Sequence, residues 1–229
     1  MTEVDVEQTD IVIKLFETPP PQRDAEWLKA FLAAVPTAAF AMREGEEVFT
    51  GPDGFPYLRL SIPPLDTEFR AFSIRHLLER ALESGVGAAI FPEDQSQPLW
   101  VFTYGNLLSY RICRQFDARS PQPPPTVPPD QQQVMISQPS EEFLPTVARK
   151  VIRKYLSLNG VGLPAMFLLN DPSRHPPQQL VFNLFRENYQ SQEHFNDLCY
   201  RLTWYLPPHY GFIVVPKGHP QFEQAFVRL

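Results

Sequence analysis

Ala118-Arg-Ser-Pro-Gln-Pro-Pro-Pro-Thr-Val-Pro-Pro-Asp-Gln-Gln-Gln133 decides how the chain is divided. The stretch holds six prolines, one valine and no aromatic residue. It has nothing with which to pack a core, and its proline content favours extended, semi-rigid polyproline geometry. It reads as a linker between residues 1–117 and 134–229. Pro121-Gln-Pro-Pro124 and Pro125-Thr-Val-Pro128 also match the loose PxxP ligand pattern, but the spacer role accounts for them.

Working outward, each flank shows the same order of elements. In the first, Asp24 caps a helix with Trp27, Leu28, Phe31, Leu32 and Val35 on one face, and Pro36 follows. An apolar strand is expected over 37–42 and a second over 57–62, stopped by Pro63. Ser73 caps a helix that buries Ile74, Leu77, Leu78, Ala81 and Leu82. Gly85 ends it in a left-handed turn, and a buried strand over 87–91 follows. The piece 11–16 is expected as an edge strand or docking segment. A strand over 99–103 and a helix over about 106–116 complete this half.

The second flank opens with a short strand over 134–136. A helix starts at Ser140 or Leu144, with Pro145 in its first turn and Glu141-Glu142 favouring its N-terminus. Strands over 165–169 and 180–185 come next. A helix capped by Ser191 and stopped by Pro207-Pro208 precedes a strand over 211–215. The segment 221–229 carries Phe222 and Phe226 four apart. Both halves therefore read α-β-β-α-β. The expected class is α+β: two small domains, each a mostly antiparallel or mixed sheet packed against helices.

The 26 prolines fit this division. Ten precede the linker and ten follow it, mostly at expected strand ends, helix ends and turns. They punctuate folded units. Charge is split less evenly. Residues 1–117 carry 18 acids and 10 bases, while 118–229 carry 8 acids and 10 bases. An acidic first half and a near-neutral second half exclude general nucleic-acid binding. Two cysteines, Cys113 and Cys199, cannot build a disulfide framework. The acidic start lacks the basic and apolar regions of a secretory signal, and no apolar run is long enough for a membrane span. A cytoplasmic protein without membrane association is expected.

Chemistry-bearing motifs are missing. No phosphate-binding glycine pattern follows a strand, and Gly160-Val-Gly162 reads as a helix stop. The five histidines, His76, His175, His194, His209 and His219, form no metal-ligand spacing. No nucleophile elbow or catalytic cysteine context is present. No cofactor and no catalytic residue is expected. Two surfaces remain as protein-binding candidates. One is the basic helix side of Arg149, Lys150, Arg153 and Lys154. The other is Trp204-Tyr-Leu-Pro-Pro-His-Tyr210, whose Trp204, Tyr205, His209 and Tyr210 suit a recognition patch. The opposing readings are a solvated helix face and a core-closing helix end.

Ser137-Gln-Pro-Ser-Glu-Glu-Phe-Leu-Pro145, the basic helix, Val181-Phe-Asn-Leu-Phe185 and Trp204–Tyr210 together resemble the C-terminal domain of the SseB family, named for an enhanced serine sensitivity phenotype. Phe72-Ser-Ile-Arg-His-Leu-Leu78 and Val101-Phe-Thr103 are similar, more loosely, to that family's N-terminal domain. The resemblance implies a two-domain bacterial cytoplasmic protein with no catalytic residues to carry over. The expected function is a non-enzymatic protein-binding or adaptor protein with an unnamed partner. The alternatives are a secretion chaperone or toxin-immunity-like protein, and an enzyme whose site lies between the domains and uses His209 or His194.

Overall fold

The computed structural model describes residues 4–42, 45, 47–63, 68–92, 96–117, 134–220 and 222–229. The linker 118–133 and its PxxP motifs lie outside the described residues. The chain separates into two compact units, 1–116 and 117–229. Each is a mixed sheet with helices, so the fold is α+β.

Helix α1 (Val6–Phe16) covers 11–16, where an edge strand or docking segment is expected, so the strand alternative does not form. The β-branched run Ile11-Val-Ile suggests a strand, but the Asp5 carboxylate accepts from the Gln8 amide and starts a helix five residues earlier. Thr9 and Val12 then fall on its buried side, with Phe16 further along. Helix α2 (Ala25–Ala34) is capped by Asp24, whose Oδ1 accepts from Trp27 N at 2.8 Å. Trp27 and Phe31 stack at 5.1 Å, and Phe31 meets Phe16, Trp100 and Phe102. These rings cement α1, α2 and the segment Trp100–Phe102 into one core.

The strand expected over 37–42 does not form. The segment makes single bridges instead: Ala38 to Asp5, Phe40 to Phe72, and Ala41 to Ser61. Each partner is a different element, so no ladder propagates. The sheet is built from β1 (Val48–Thr50), β2 (Pro56–Ser61), β3 (Gly87–Phe91) and β4 (Trp100–Phe102), in that order. The sequence reading does not include β1, whose three residues are exposed, half-buried and exposed in turn. β2 and β3 are parallel and joined by α3 (Ile74–Ser84), capped by Ser73 and ended by Gly85 at φ 73°. α4 (Tyr104–Cys113) starts earlier than the helix expected from residue 106, because Thr103 and Asn106 cap each other reciprocally. α3 and α4 both pack on β3, which is buried along its whole length.

The second unit contains β5 (Met135–Ser137), α5 (Thr146–Leu158), β6 (Ala165–Asn170), β7 (Gln178–Phe182), α6 (Gln192–Thr203), β8 (Gly211–Ile213) and β9 (Val227–Arg228). The sheet order is β5-β6-β7-β8, and β9 also pairs with β6, beyond β5. β6 and β7 are antiparallel, while β7 and β8 are parallel across α6. The first unit shares this plan, since β1 and β2 are antiparallel and β2 and β3 parallel across α3. The repeated α-β-β-α-β order is therefore a repeated pairing scheme.

Alternation along β6 and β7 gives the second sheet two buried faces. Phe167, Leu169 and Val181 form one, covered by Val215, Phe222, Ala225 and Phe226. Residues 222–229 thus lie across the sheet and end in a strand. Met166, Leu168, Leu180 and Phe182 point the other way and are also buried. The apolar stripes of α5 and α6 are buried as well, and the two helices adjoin where the Tyr155 hydroxyl donates to Leu198 O. Among the described residues, no helix is long and apolar enough to cross a membrane.

Candidate functional site

The basic helix side divides into two kinds of residue. Arg149 turns back on its own chain: Nε donates to Leu144 O at 2.7 Å, and Nη2 donates to Pro139 O at 2.7 Å and Ser140 O at 3.0 Å. It locks the turn ahead of α5. Arg153 Nη1 donates to Leu229 O at 3.1 Å. Lys150 and Lys154 remain as exposed cations on the helix. The expected cluster of four is two structural struts and two solvated lysines. Glu141 is not inside the first turn of the helix either. It reaches in from the preceding turn, accepting from Thr146 N at 2.8 Å, because Pro145 stands at the cap position and offers no side-chain acceptor.

The aromatic stretch is similarly absorbed. Trp204 and Tyr205 are 7% and 8% exposed, so neither offers a recognition surface. Tyr205 meets Tyr155 at 4.8 Å, and burial pushes both phenols up. Tyr210 stacks on Phe143 at 4.2 Å and donates to the Phe143 carbonyl. Like Arg149, it fastens the 139–145 turn. His209 is half-buried, its Nδ1 has no hydrogen-bond partner, and burial holds its pKa below the usual histidine value. Of the eight expected binding residues, Lys150, Arg153 and Lys154 are exposed, and Arg153 is tied to Leu229 O.

Two adjoining clefts, both in the second unit, offer concave surface. The larger, about 600 Å³, lies between the turn after α5 and the segment 183–194. Gly160, at φ 88°, ends α5 in the left-handed region and opens this space. The cleft wall is rich in amides: Asn159, Asn183, Asn188 and Gln190, with His194 and Tyr189 beside them. Asn183 is fixed at both ends, Oδ1 accepting from Ala165 N at 2.9 Å and Nδ2 donating to Leu163 O at 2.8 Å. Asn159 Nδ2 donates to Tyr155 O at 2.8 Å. Arg186 pins the segment, bonding Tyr189 O and Gln192 Oε1, both at 2.7 Å. Burial raises the Tyr189 phenol, which keeps it a hydroxyl and a donor. Leu163 lines the cleft and is 64% exposed, an apolar side chain left to water.

The smaller cleft, about 230 Å³, shares Asn183 and Phe185 with the larger. Its floor is apolar, formed by Phe185, Val215, Phe222 and Phe226. Phe222 and Phe226 rest on Phe167 at 5.5 and 5.0 Å. Lys217, His219 and Glu223 stand around it, with His219 stacked on Phe222 at 4.5 Å. The combined surface offers an apolar recess opening into an amide-lined channel.

The sequence reading found some of these pieces under other descriptions. Gly160-Val-Gly162 was a helix stop, and it also shapes the larger cleft. Phe222 and Phe226 were noted for their spacing, and they floor the smaller one. His194 lines the larger cleft, His219 the smaller, and His209 neither. Among the described residues, no group of three or more His, Cys, Asp or Glu side chains can hold a metal ion. No family model, curated protein or solved structure matches the chain.

Proposed function

We propose that the chain is a non-enzymatic protein-binding protein, and that the paired clefts of its second unit hold an extended segment of a partner. The observation that supports this most is the continuity between the two clefts at Asn183 and Phe185. An apolar partner side chain enters the phenylalanine-lined recess. The neighbouring peptide groups lie across the asparagine and glutamine side chains, which both donate and accept. Exposed Leu163 adds apolar contact at the rim. The resemblance of residues 134–215 to the SseB C-terminal domain agrees with this reading, as does the absence of a nucleotide or metal motif in the sequence. The net charge of −6 argues against a nucleic-acid ligand, and a bacterial cytoplasmic setting completes the proposal.

Gly162 provides a clean test. An added Cβ there meets nothing within 4 Å, so a side chain fits without moving the backbone. Gly162→Tyr fills the larger cleft from its wall. Panning a random-peptide display library against the whole protein is expected to yield sequences sharing an apolar anchor. Their affinity falls at least about tenfold in Gly162→Tyr with an unchanged melting temperature, a loss typical of one good contact. Selected peptides that bind the variant equally well, or a library that yields no binder, refute the assignment.

A further inference from the structure

Sheet edges expose unpaired backbone groups, and folded proteins normally guard them with charge, proline or a covering side chain. The two sheets have four edges, and three are guarded. β1 is preceded by Glu47, whose carboxylate holds Arg80. At β4, Arg23 Nη1 donates to Leu99 O at 3.4 Å, immediately before the strand. β8 is bracketed by Pro208 and Pro216, and Pro176 packs so closely on Gly211 that an added Cβ would lie 3.1 Å from its Cγ.

The fourth edge differs. β5 and β9 lie end to end along β6, and among the described residues β5 pairs with nothing else. Apolar side chains along this edge are exposed: Val134, just before β5, at 50%, Met135 and Ile136 in β5 at 53% and 40%, and Val227 in β9 at 45%. No charged residue occurs from Val134 to Pro139. Pro139 lies past the paired residues and closes only the far end of the strand.

We propose that two copies of this chain pair through this edge, β5 against β5, to make one sheet across a two-fold axis. An isologous contact places each residue opposite a two-fold-related one, so a charged edge repels its own copy. Within this edge, residues 134–138 carry no charge and no proline and still present apolar side chains. Antiparallel pairing centred on Ile136 sets that residue against its equivalent and Met135 against Ser137. It joins the edge amides and carbonyls of both strands and brings Val134, Met135 and Ile136 of each copy against the other copy. A partner with a different strand would need no such neutrality, because one charge on β5 could be matched by an opposite one.

Sedimentation equilibrium of the whole chain over a concentration series tests this. The expected result is a monomer–dimer equilibrium. Ile136→Lys weakens it at least about thirtyfold, the scale of a lost central contact, while circular dichroism stays unchanged. A second variant guards against a folding effect. Ile136→Cys in a Cys113→Ser background should form a disulfide-linked dimer under mild oxidation, since the two-fold axis brings the two thiols together. A wild-type chain that is monomeric throughout the series overturns the proposal. So does a dimer that Ile136→Lys leaves intact and Ile136→Cys fails to cross-link.

Discussion

Arg149 spends its guanidinium on the carbonyls of Pro139, Ser140 and Leu144. Arg149→Ala is expected to cost about 2 kcal/mol, the scale of charge-assisted hydrogen bonds lost from a half-buried site. Arg149→Lys recovers little, because an ammonium cannot span the three acceptors with a planar fork. Lys150→Ala on the same helix should change stability by under about 0.5 kcal/mol. Urea denaturation of the three variants checks the ordering, and equal costs for Arg149 and Lys150 contradict it. His209 gives a pH dependence of known sign. Its unfolded form takes a proton near 6.5, and burial makes the folded form resist until lower pH. Between those values the unfolded chain binds more protons, so stability falls as the pH falls through 6.5. His209→Gln should flatten that part of the stability–pH curve, and an unchanged slope would show that His209 does not set it.

At the scale of single elements, close backbone approach and left-handed turns can be tested one glycine at a time. Gly85→Ala forces a side chain into φ 73° and should lower stability by about 1 kcal/mol. Gly87→Ala is more damaging, because its Cβ would lie 2.4 Å from the Phe102 carbonyl oxygen and 2.7 Å from the Tyr57 ring. The loss there is expected at about 2 kcal/mol or more, as the β3–β4 contact has to open. Chemical denaturation that ranks Gly87→Ala below Gly85→Ala in cost would contradict the close packing. Helix limits set by neighbours in sequence were legible beforehand. Asp24, Ser73 and Ser191 each cap the helix they precede, and Gly85 ends α3. Elements decided by distant partners were not. Residues 37–42 look like a strand yet find three separate partners, and Ile11–Phe16 looks like a strand yet continues a helix begun at Asp5. The site followed the same division. Arg149 and Tyr210 have recognition chemistry in sequence, but both are consumed by the turn around Phe143, and the clefts arise where 159–163, 183–194 and 215–226 meet.

On the scale of the whole molecule, each unit joins an antiparallel strand pair to a third, parallel strand through one helix, and then completes the sheet in its own way. The first adds β4 beside β3. The second closes β6 with β5 from before α5 and β9 from beyond β8. Phe226 carries much of that closure, touching Phe167 and Phe185. Phe226→Ala should lower the second unit's unfolding transition by about 2–3 kcal/mol, at the low end for a large aromatic because the ring is only half-buried. Thermal unfolding followed through Trp204, with Trp27 and Trp100 replaced by Phe, reports that transition, and an unmoved midpoint denies the ring its role. The return of β9 to β6 also has a consequence for biosynthesis. Ala165 leaves the ribosome long before Arg228, its partner, has been made. The Phe167 face of the nascent sheet therefore stays uncovered while some sixty residues are added, whereas β3 and β4 are made close together. The first unit is equipped to fold during translation. The second has to wait for its last strand, and a chaperone that binds apolar nascent chain has its longest opportunity there.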